Sequence, residues 1–310
     1  MKKIVWSLGC FILICTTFLS GCGSESRDKT DGYECLIGVS LINVMEPWLN
    51  NFEQVLAEKA EGNPKVNLIF QDAAGSTEKQ IQDIQLLMEC GIDLLILSPD
   101  GSDALNEVLK DTFSEIPVVV VGVEPESEAY TTFIRTDDEG IGEMAGNYIL
   151  DQLYENEDNV VVIQGVDGSP ISEKRLKGFQ KAIDGKISDD KIFYYYGDWI
   201  RDRAELRMKD YLVVNNTADT VVFGLNDEMA YGAYLACQQL RVNNKMRFIG
   251  VDGFEGEIAG RNMVEKGILD ATIQTPDFAE LAYRTSMEIL EGKSVERDIT
   301  IVPNMVLTDD

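Results

Sequence analysis

An acidic side chain and two tryptophans stand where buried strands are predicted to end. Glu46 and Trp48 leave one loop after the first apolar run, and Trp199 follows the sixth run. A carboxylate accepts hydrogen bonds from two hydroxyls, and an indole ring covers a C–H face, so the combination suits a polyol. The pattern favours a binding site for a sugar-like molecule; the alternative is that Trp48 only begins the core of the next helix.

Two further polar residues follow later strands. Asn226 comes directly after Val221–Gly224 and offers a donor and an acceptor, whereas Asp252 comes after Phe248–Val251 and can accept two hydroxyls. Asp227 is a favoured residue type for a helix N-cap. We therefore expect Asp227 to cap the following helix, which leaves Asn226 and Asp252 for the ligand.

Arg175 and Gln274 are the remaining candidate ligand contacts. Arg175 either points its guanidinium at hydroxyl oxygens or pairs with Glu173, two residues earlier. Gln274 follows a short apolar run and precedes Pro276. This pattern is typical of a stiff junction where the chain passes from one domain lobe to another.

Composition excludes several classes of protein. The 310 residues carry 27 basic and 54 acidic side chains, a formal net charge of −27, and such a surface repels nucleic-acid phosphates. The sequence has no histidine, which removes histidine-based acid–base chemistry and histidine-ligated metals.

The acidic stretch 155–158 is too short for a calcium loop. Because the first strand lacks a glycine-rich dinucleotide turn and no nucleophile pair is spaced for catalysis, we expect no enzyme activity, cofactor or metal.

The N-terminal residues have the layout of a bacterial lipoprotein signal. Two lysines precede an uncharged run over residues 4–19, and small residues then lead to Cys22. We expect residues 1–21 to be removed, Cys22 to carry the lipid, and residues 22–32 to form a flexible tether. The alternatives are an ordinary signal peptide or a buried apolar strand.

From residue 33 onward, short apolar runs alternate with amphipathic stretches of helical period. Most runs are continuously apolar or β-branched, which is typical of strands buried on both faces of a parallel sheet. We predict strands over Leu36–Leu41, Val66–Phe70, Leu94–Leu97, Val118–Val121, Val160–Gln164, Ile192–Tyr196, Val221–Gly224, Phe248–Val251 and Ala271–Ile273. These are too many for one sheet, so the α/β alternation predicts two doubly wound parallel-sheet lobes.

The chain resembles the type I periplasmic binding proteins of sugar ABC importers, close in pattern to the galactose/glucose- and ribose-binding proteins. The shared motifs are Ile37-Gly38-Val39-Ser40, Ile116-Pro117-Val118-Val119, Thr136-Asp137 with Gly140, Gly178-Phe179, Asn226-Asp227-Glu228-Met229-Ala230, Gly250-Val251-Asp252-Gly253 and Gly267-Ile268-Leu269. The resemblance implies ligand contacts by stacking on Trp48 and Trp199, and by hydrogen bonds to Glu46, Arg175, Asn226, Asp252 and Gln274.

The same resemblance implies two lobes joined by a three-segment hinge. The implied crossings lie near Thr136-Asp137, near Gln274-Pro276 and near Gly292-Ser294. The implied N-terminal lobe is 33–135 plus 276–292, and the implied C-terminal lobe is 137–273 plus 295–310. A ligand held by both lobes would favour the closed arrangement of this hinge.

Two positions depart from the sugar-binding pattern. Gly122-Val123 follows the fourth strand, where sugar binders of this family commonly place a polar or charged pair. Ile171 stands where the galactose/glucose-type proteins use an acidic contact. Glu124 compensates for these losses only if its loop bends inward. The implied ligand is therefore a monosaccharide or a derivative, and its identity stays open.

The resemblance also implies a location and partners. We expect a monomer held at the extracytoplasmic face of the cell membrane by its lipid alone, delivering its ligand to an ABC permease. The alternative partner is a membrane sensor kinase or chemoreceptor. A DNA-binding repressor with the same core would need a basic N-terminal helix-turn-helix, and a signal sequence takes that place here.

Overall fold

The computed structural model describes residues 34–155, 158–255, 259–275 and 277–307. The predicted signal sequence, the predicted lipidation site Cys22 and the tether lie outside these residues, as do positions 156, 157 and 276. Within the described ranges, the helices are too short or too polar to cross a membrane.

The described residues alternate strands and helices along the chain. The strands are β1 (Cys35–Leu41), β2 (Val66–Asp72), β3 (Leu94–Ser98), β4 (Val118–Val121), β5 (Thr132–Thr136), β6 (Asn159–Gln164), β7 (Ile192–Tyr196), β8 (Thr220–Gly224), β9 (Met246–Asp252), β10 (Ala271–Gln274), β11 (Asp298–Ile301) and β12 (Asn304–Leu307). The α-helices are α1 (Pro47–Glu61), α2 (Thr77–Glu89), α3 (Asn106–Glu115), α4 (Asp138–Tyr148), α5 (Pro170–Ile183), α6 (Arg201–Val214), α7 (Asp227–Leu240), α8 (Gly260–Glu265) and α9 (Phe278–Leu290). Short 3-10 turns cover Asp103–Leu105 and Asp189–Lys191, and α4 continues as a π-helix over Ile149–Leu153.

These strands form two six-stranded sheets within the described residues. The first has the order β11-β5-β4-β3-β1-β2, and all its neighbours are parallel. The second has the order β12-β10-β9-β8-β6-β7 and is parallel except for β12, which runs antiparallel to β10. The predicted α/β fold of two doubly wound lobes is confirmed.

Continuously apolar strands lie in the interior of each sheet. Every residue of β4 and of β6 is buried. Alternate residues of β1 face two different cores, since Ile37 packs in the core that contains α1 and α9, whereas Leu36 packs with α2 and α3. A strand covered on both faces needs an unbroken apolar run, which is why the sequence predicts these strands correctly.

The sequence does not predict β5, β11 or β12. Both β11 and β12 are edge strands with a single buried residue each, and Arg135 interrupts the apolar pattern of β5. An edge strand buries less surface than a central one, so its composition resembles that of a loop.

The chain passes between the two lobes at three places in the described residues. It leaves the first sheet after β5, because α4 packs in the core of the second lobe. It returns after β10, because α9 packs against α1. It crosses again at Val302 and Pro303, between β11 of the first sheet and β12 of the second.

The last crossing corrects two predictions. The crossing expected near Gly292-Ser294 is wrong, and so is the assignment of all of residues 295–310 to the C-terminal lobe. Strand β11 pairs with β5 of the first sheet, with Ile299 opposite Ile134. The short, half-exposed strand carries too little apolar pattern to reveal this pairing in advance.

Two glycines allow α4 and α5 to approach closely. A Cβ atom on Gly142 would overlap the backbone of α5 at Arg175, and one on Gly178 would overlap the Glu139 carbonyl of α4. Helix α5 carries Ile171 and Arg175, two of the residues that the sequence places near the ligand. The glycines therefore fix the position of these side chains relative to α4.

The substitution Gly178→Ala tests this contact. We expect it to lower the free energy of unfolding by about 1–3 kcal/mol, because a methyl group has to force two helix backbones apart. The matched control is Gly62→Ala at the end of α1, where a Cβ atom would lie 3.4 Å from the Lys59 carbonyl. Equal unfolding midpoints for the two variants in urea would contradict the close-packing argument.

Candidate ligand-binding site

A cavity of about 370 Å³ lies between the two lobes, where the carboxyl ends of the strands meet. Cavities of this size are typical of sites for small molecules. The structure brings six of the seven predicted ligand contacts to its wall: Glu46, Trp48, Arg175, Trp199, Asn226 and Asp252.

Gln274 does not line this cavity. Its side chain packs over Gly253, and its Oε1 lies 3.5 Å from Nδ2 of Asn304 on the neighbouring strand β12. The next residue, Thr275, lines the cavity instead. The structure therefore does not bring Gln274 to the cavity wall, and its side chain contacts β12, a strand that the sequence does not predict.

Trp48 serves both the core and the cavity. Its ring stacks on Phe52 of the same helix, with centroids 5.7 Å apart, and meets the edge of Phe278 at 5.0 Å. Gly122 lies beside the six-membered ring of the indole, where a Cβ atom on the glycine would come within 3.5 Å of the ring. Packing on two sides holds the ring rigidly, and its remaining surface faces the cavity.

Trp199 is positioned by an unusual backbone. Both Asp198 and Trp199 have positive φ angles, 53° and 66°, a region that residues other than glycine rarely adopt. The indole lies directly on Gly165, where any Cβ atom would overlap it. The Arg175 guanidinium stands 5.8 Å from the ring centroid, within the range of a cation–π contact. Strained backbone of this kind concentrates at functional sites.

Asn226, and not Asp227, caps helix α7. The Asn226 Oδ1 accepts a hydrogen bond from the Met229 N–H at 2.8 Å, and its Nδ2 donates to the Trp199 carbonyl at 3.2 Å. The predicted cap at Asp227 is therefore wrong. Asparagine and aspartate are equally good caps, so the residue types alone do not decide which of the two neighbours caps the helix.

Asp227 instead lies buried beneath the cavity wall. Its carboxylate accepts hydrogen bonds from the Gly253 N–H at 2.7 Å and from the Thr272 hydroxyl at 2.6 Å. Burial, reinforced by the nearby Asp252 carboxylate, raises the pKa of Asp227 well above its usual range. These bonds tie the start of α7 to β10 and to the turn after β9, so Asp227 positions Asp252.

Arg175 is buried and pairs within the second lobe. Its Nε donates to Asp138 at 2.9 Å, its Nη1 donates to the Leu225 carbonyl at 2.5 Å, and Asp252 lies 3.9 Å away. Asp138, rather than the predicted alternative Glu173, is its nearest ion-pair partner. The guanidinium also lines the cavity, so it can still meet a ligand oxygen.

Asp252 and Glu46 are acidic groups that the protein partly desolvates. Burial raises the pKa of Asp252, and the nearby Arg175 guanidinium opposes this rise. Glu46 stands at the start of α1 without capping it, and burial raises its pKa to about 7. A desolvated carboxylate gains most from a partner that donates hydrogen bonds, such as a hydroxyl group.

Six polar lining residues were not predicted as ligand contacts: Asn43, Asp100, Thr136, Asp167, Ser169 and Thr275. Asp100 and Asp167 follow β3 and β6 at the same edge of their sheets as the predicted residues. Their position directly after a buried strand indicates a place near the ligand, because ligands of doubly wound sheets bind on these loops.

Apolar residues complete the wall at the two positions that depart from the sugar-binding pattern. Gly122, Val123 and Ile171 all line the cavity. Glu124 is exposed, lies 3.6 Å from Nη1 of Arg135, and is not part of the lining. It does not replace the polar contacts that this part of the wall lacks. Among the described residues, no cluster of acidic or cysteine side chains could hold a metal ion.

The half-buried Glu46 predicts a pH dependence in the absence of ligand. The folded protein keeps the Glu46 proton up to about pH 7, whereas an unfolded glutamate loses it near pH 4.5. The free energy of unfolding contributed by Glu46 therefore falls as the pH rises through this window. A glutamine at this position cannot titrate. The melting temperature of Glu46→Gln, relative to that of the wild type, should therefore rise as the pH is raised from 4.5 to about 7.

The matched control is Glu58→Gln on the exposed face of α1. Its melting temperature should run parallel to that of the wild type across the same pH range. A Glu46→Gln curve that is also parallel to the wild-type curve would contradict the assigned pKa.

Sequence comparison identifies relatives along nearly the whole chain. The ribose import binding protein RbsB of Bacillus subtilis is 26% identical over 306 residues, covering 97% of each chain. The ribose import binding protein of Escherichia coli is 28% identical over 243 residues, covering 77% of this chain and 80% of the relative.

Solved structures with the same fold include two that are more than 25% identical. The fructose-binding periplasmic domain of a hybrid two-component system superposes with a TM-score of 0.78 at 28% identity, covering 89% of this chain and 91% of that one. An ABC transporter solute-binding protein from Mycobacterium smegmatis with bound glycerol has a TM-score of 0.77 at 26% identity, with coverages of 89% and 95%. The model of the periplasmic binding protein domain matches residues 37–294. The chain therefore belongs to the periplasmic binding protein family.

Proposed function

We propose that this protein captures a sugar or sugar-like molecule between its lobes outside the cytoplasm and delivers it to an ABC importer. The observation that carries the proposal is a single cavity lined by a tryptophan and a carboxylate from each lobe: Trp48 and Glu46 from the first, Trp199 and Asp252 from the second. Relatives that span the chain are ribose import binding proteins, which supports this class of ligand. The chain is a solute-binding protein and not an enzyme.

The charge of the cavity narrows the class of ligand. Four carboxylates line it, from Glu46, Asp100, Asp167 and Asp252, against the single Arg175 guanidinium among the described lining residues. Asp138 already pairs with that guanidinium. An anionic ligand would meet uncompensated negative charge, so a neutral molecule rich in hydroxyl donors fits best.

The division of contacts supports capture by closure. The first lobe supplies Trp48 and Glu46, whereas Arg175, Asn226 and Asp252 belong to the second lobe. A ligand that touches both sets binds the closed arrangement more tightly than the open one and shifts the population toward it. The closed shape is what a membrane partner would recognise.

Attachment to the membrane completes the proposal. A lipid on Cys22 would hold a monomeric binding domain at the extracytoplasmic face, and the acidic domain itself would be repelled by anionic headgroups. The support is the signal-like sequence before Cys22.

A second candidate function is ligand sensing. The fructose-binding domain that superposes on this chain is part of a hybrid two-component system. Deletion of the gene separates the two functions: loss of sugar uptake supports delivery to an importer, whereas normal uptake with loss of a transcriptional response to the sugar supports sensing.

Calorimetry with a panel of sugars and polyols tests the proposed function. We expect a monosaccharide to bind the wild type, and Asp252→Asn to weaken this binding by about 10- to 100-fold, because a charge-assisted hydrogen bond is lost. The matched control, Asp111→Asn on the exposed face of α3, should bind like the wild type. Absence of binding by any carbohydrate would overturn the sugar assignment, and unchanged affinity in Asp252→Asn would remove Asp252 from the site.

A further inference from the structure

One part of the cavity wall is apolar on both lobes. Val123 comes from the loop after β4 of the first lobe, and Pro170 and Ile171 come from the start of α5 in the second. A Cβ atom built on Gly101 would lie 3.0 Å from Cγ1 of Val123 and 4.0 Å from Cγ of Pro170. The two side chains therefore approach the same point from opposite lobes, and together with Ile171 they form what we call the apolar wall.

The carboxylates nearest in sequence to this wall are already engaged. Asp100, beside Gly101, accepts a hydrogen bond from the Ser102 N–H at 2.8 Å and another from the Thr77 hydroxyl. Asp167 is hydrogen-bonded to Tyr196. Glu124, which follows Val123, is exposed and turned toward Arg135. Asp100, Asp167 and Ser169 line the cavity beside the apolar wall, whereas the side chains of the wall itself offer no hydrogen-bonding group.

A hydroxyl group packed against Val123, Pro170 and Ile171 would lose hydrogen bonds to water and gain none from these three side chains. A methyl group in the same place would instead bury apolar surface. Discrimination of this kind in hydrophobic pockets amounts to about 10- to 200-fold in affinity. The rest of the cavity lining contains carboxylates that accept hydrogen bonds from hydroxyls, such as those of Glu46 and Asp252. We therefore expect only one edge of the ligand to lack hydroxyls.

We propose that the ligand is a deoxysugar whose methyl group packs against Val123, Pro170 and Ile171, while its hydroxyls face the acidic part of the cavity. This inference rests on the proposed sugar-binding function and specifies the class of sugar. Neither lobe alone provides the apolar wall, so closure completes the discrimination between a methyl and a hydroxymethyl group.

Calorimetry with matched pairs tests the inference on the full chain. Each pair is a hexose and its 6-deoxy counterpart of the same configuration, such as D-galactose with D-fucose, L-galactose with L-fucose, and L-mannose with L-rhamnose. We expect one deoxy sugar to bind at least about tenfold more tightly than its parent. A parent hexose that binds as tightly as its deoxy counterpart, or more tightly, would overturn the inference and leave the proposed function intact. No binding by any carbohydrate would overturn both.

Substitutions in the apolar wall provide a second readout. Val123→Thr and Ile171→Asn introduce hydrogen-bonding groups, so each should reduce the preference for the deoxy sugar and strengthen binding of its parent. The control Val213→Thr, at the exposed end of α6, should keep the wild-type preference. A ratio of the two affinities that does not change in either wall variant, in protein with a wild-type melting temperature, would contradict the role of the wall.

Discussion

The buried guanidinium of Arg175 fixes the polar half of the cavity. It meets Asp138 at the start of α4, the Leu225 carbonyl after β8, and Asp252 at the end of β9. A buried charge is costly unless its partners stay in place, and removal of one partner leaves the others uncompensated. Helix α5 can bring Arg175 to this position only because glycines let it pack closely on α4. The polar wall is therefore set by the fold before a ligand arrives.

The two lobes supply complementary surfaces. The first lobe presents a ring held rigidly by Phe52 and Phe278, with Glu46 beside it. The second lobe presents the network around Arg175 and the Trp199 ring, which lies on Gly165. A sugar has both C–H faces and hydroxyl edges, so a ligand of this kind uses both walls at once. This complementarity connects the doubly wound architecture with capture by closure.

Much of the fold and most of the cavity lining could be predicted from the sequence, for one physical reason. Strands buried on both faces, such as β4 and β6, must be continuously apolar, and ligands of doubly wound sheets bind where such strands end. Local composition does not predict the edge strands β11 and β12, which bury little, so it does not reveal that residues 298–301 belong to the first lobe. It also fails to distinguish neighbours of equal capping ability, as with Asn226 and Asp227. The pairing of Arg175 with Asp138 depends on a helix contact between residues far apart in the chain, which spacing does not reveal.

A crystal structure of the protein with its tightest-binding sugar tests the central claim most directly. The account predicts a sugar ring between Trp48 and Trp199, with hydroxyls donating hydrogen bonds to Glu46 of the first lobe and Asp252 of the second. A sugar that contacts one lobe only, or that lies outside the cavity, would contradict it.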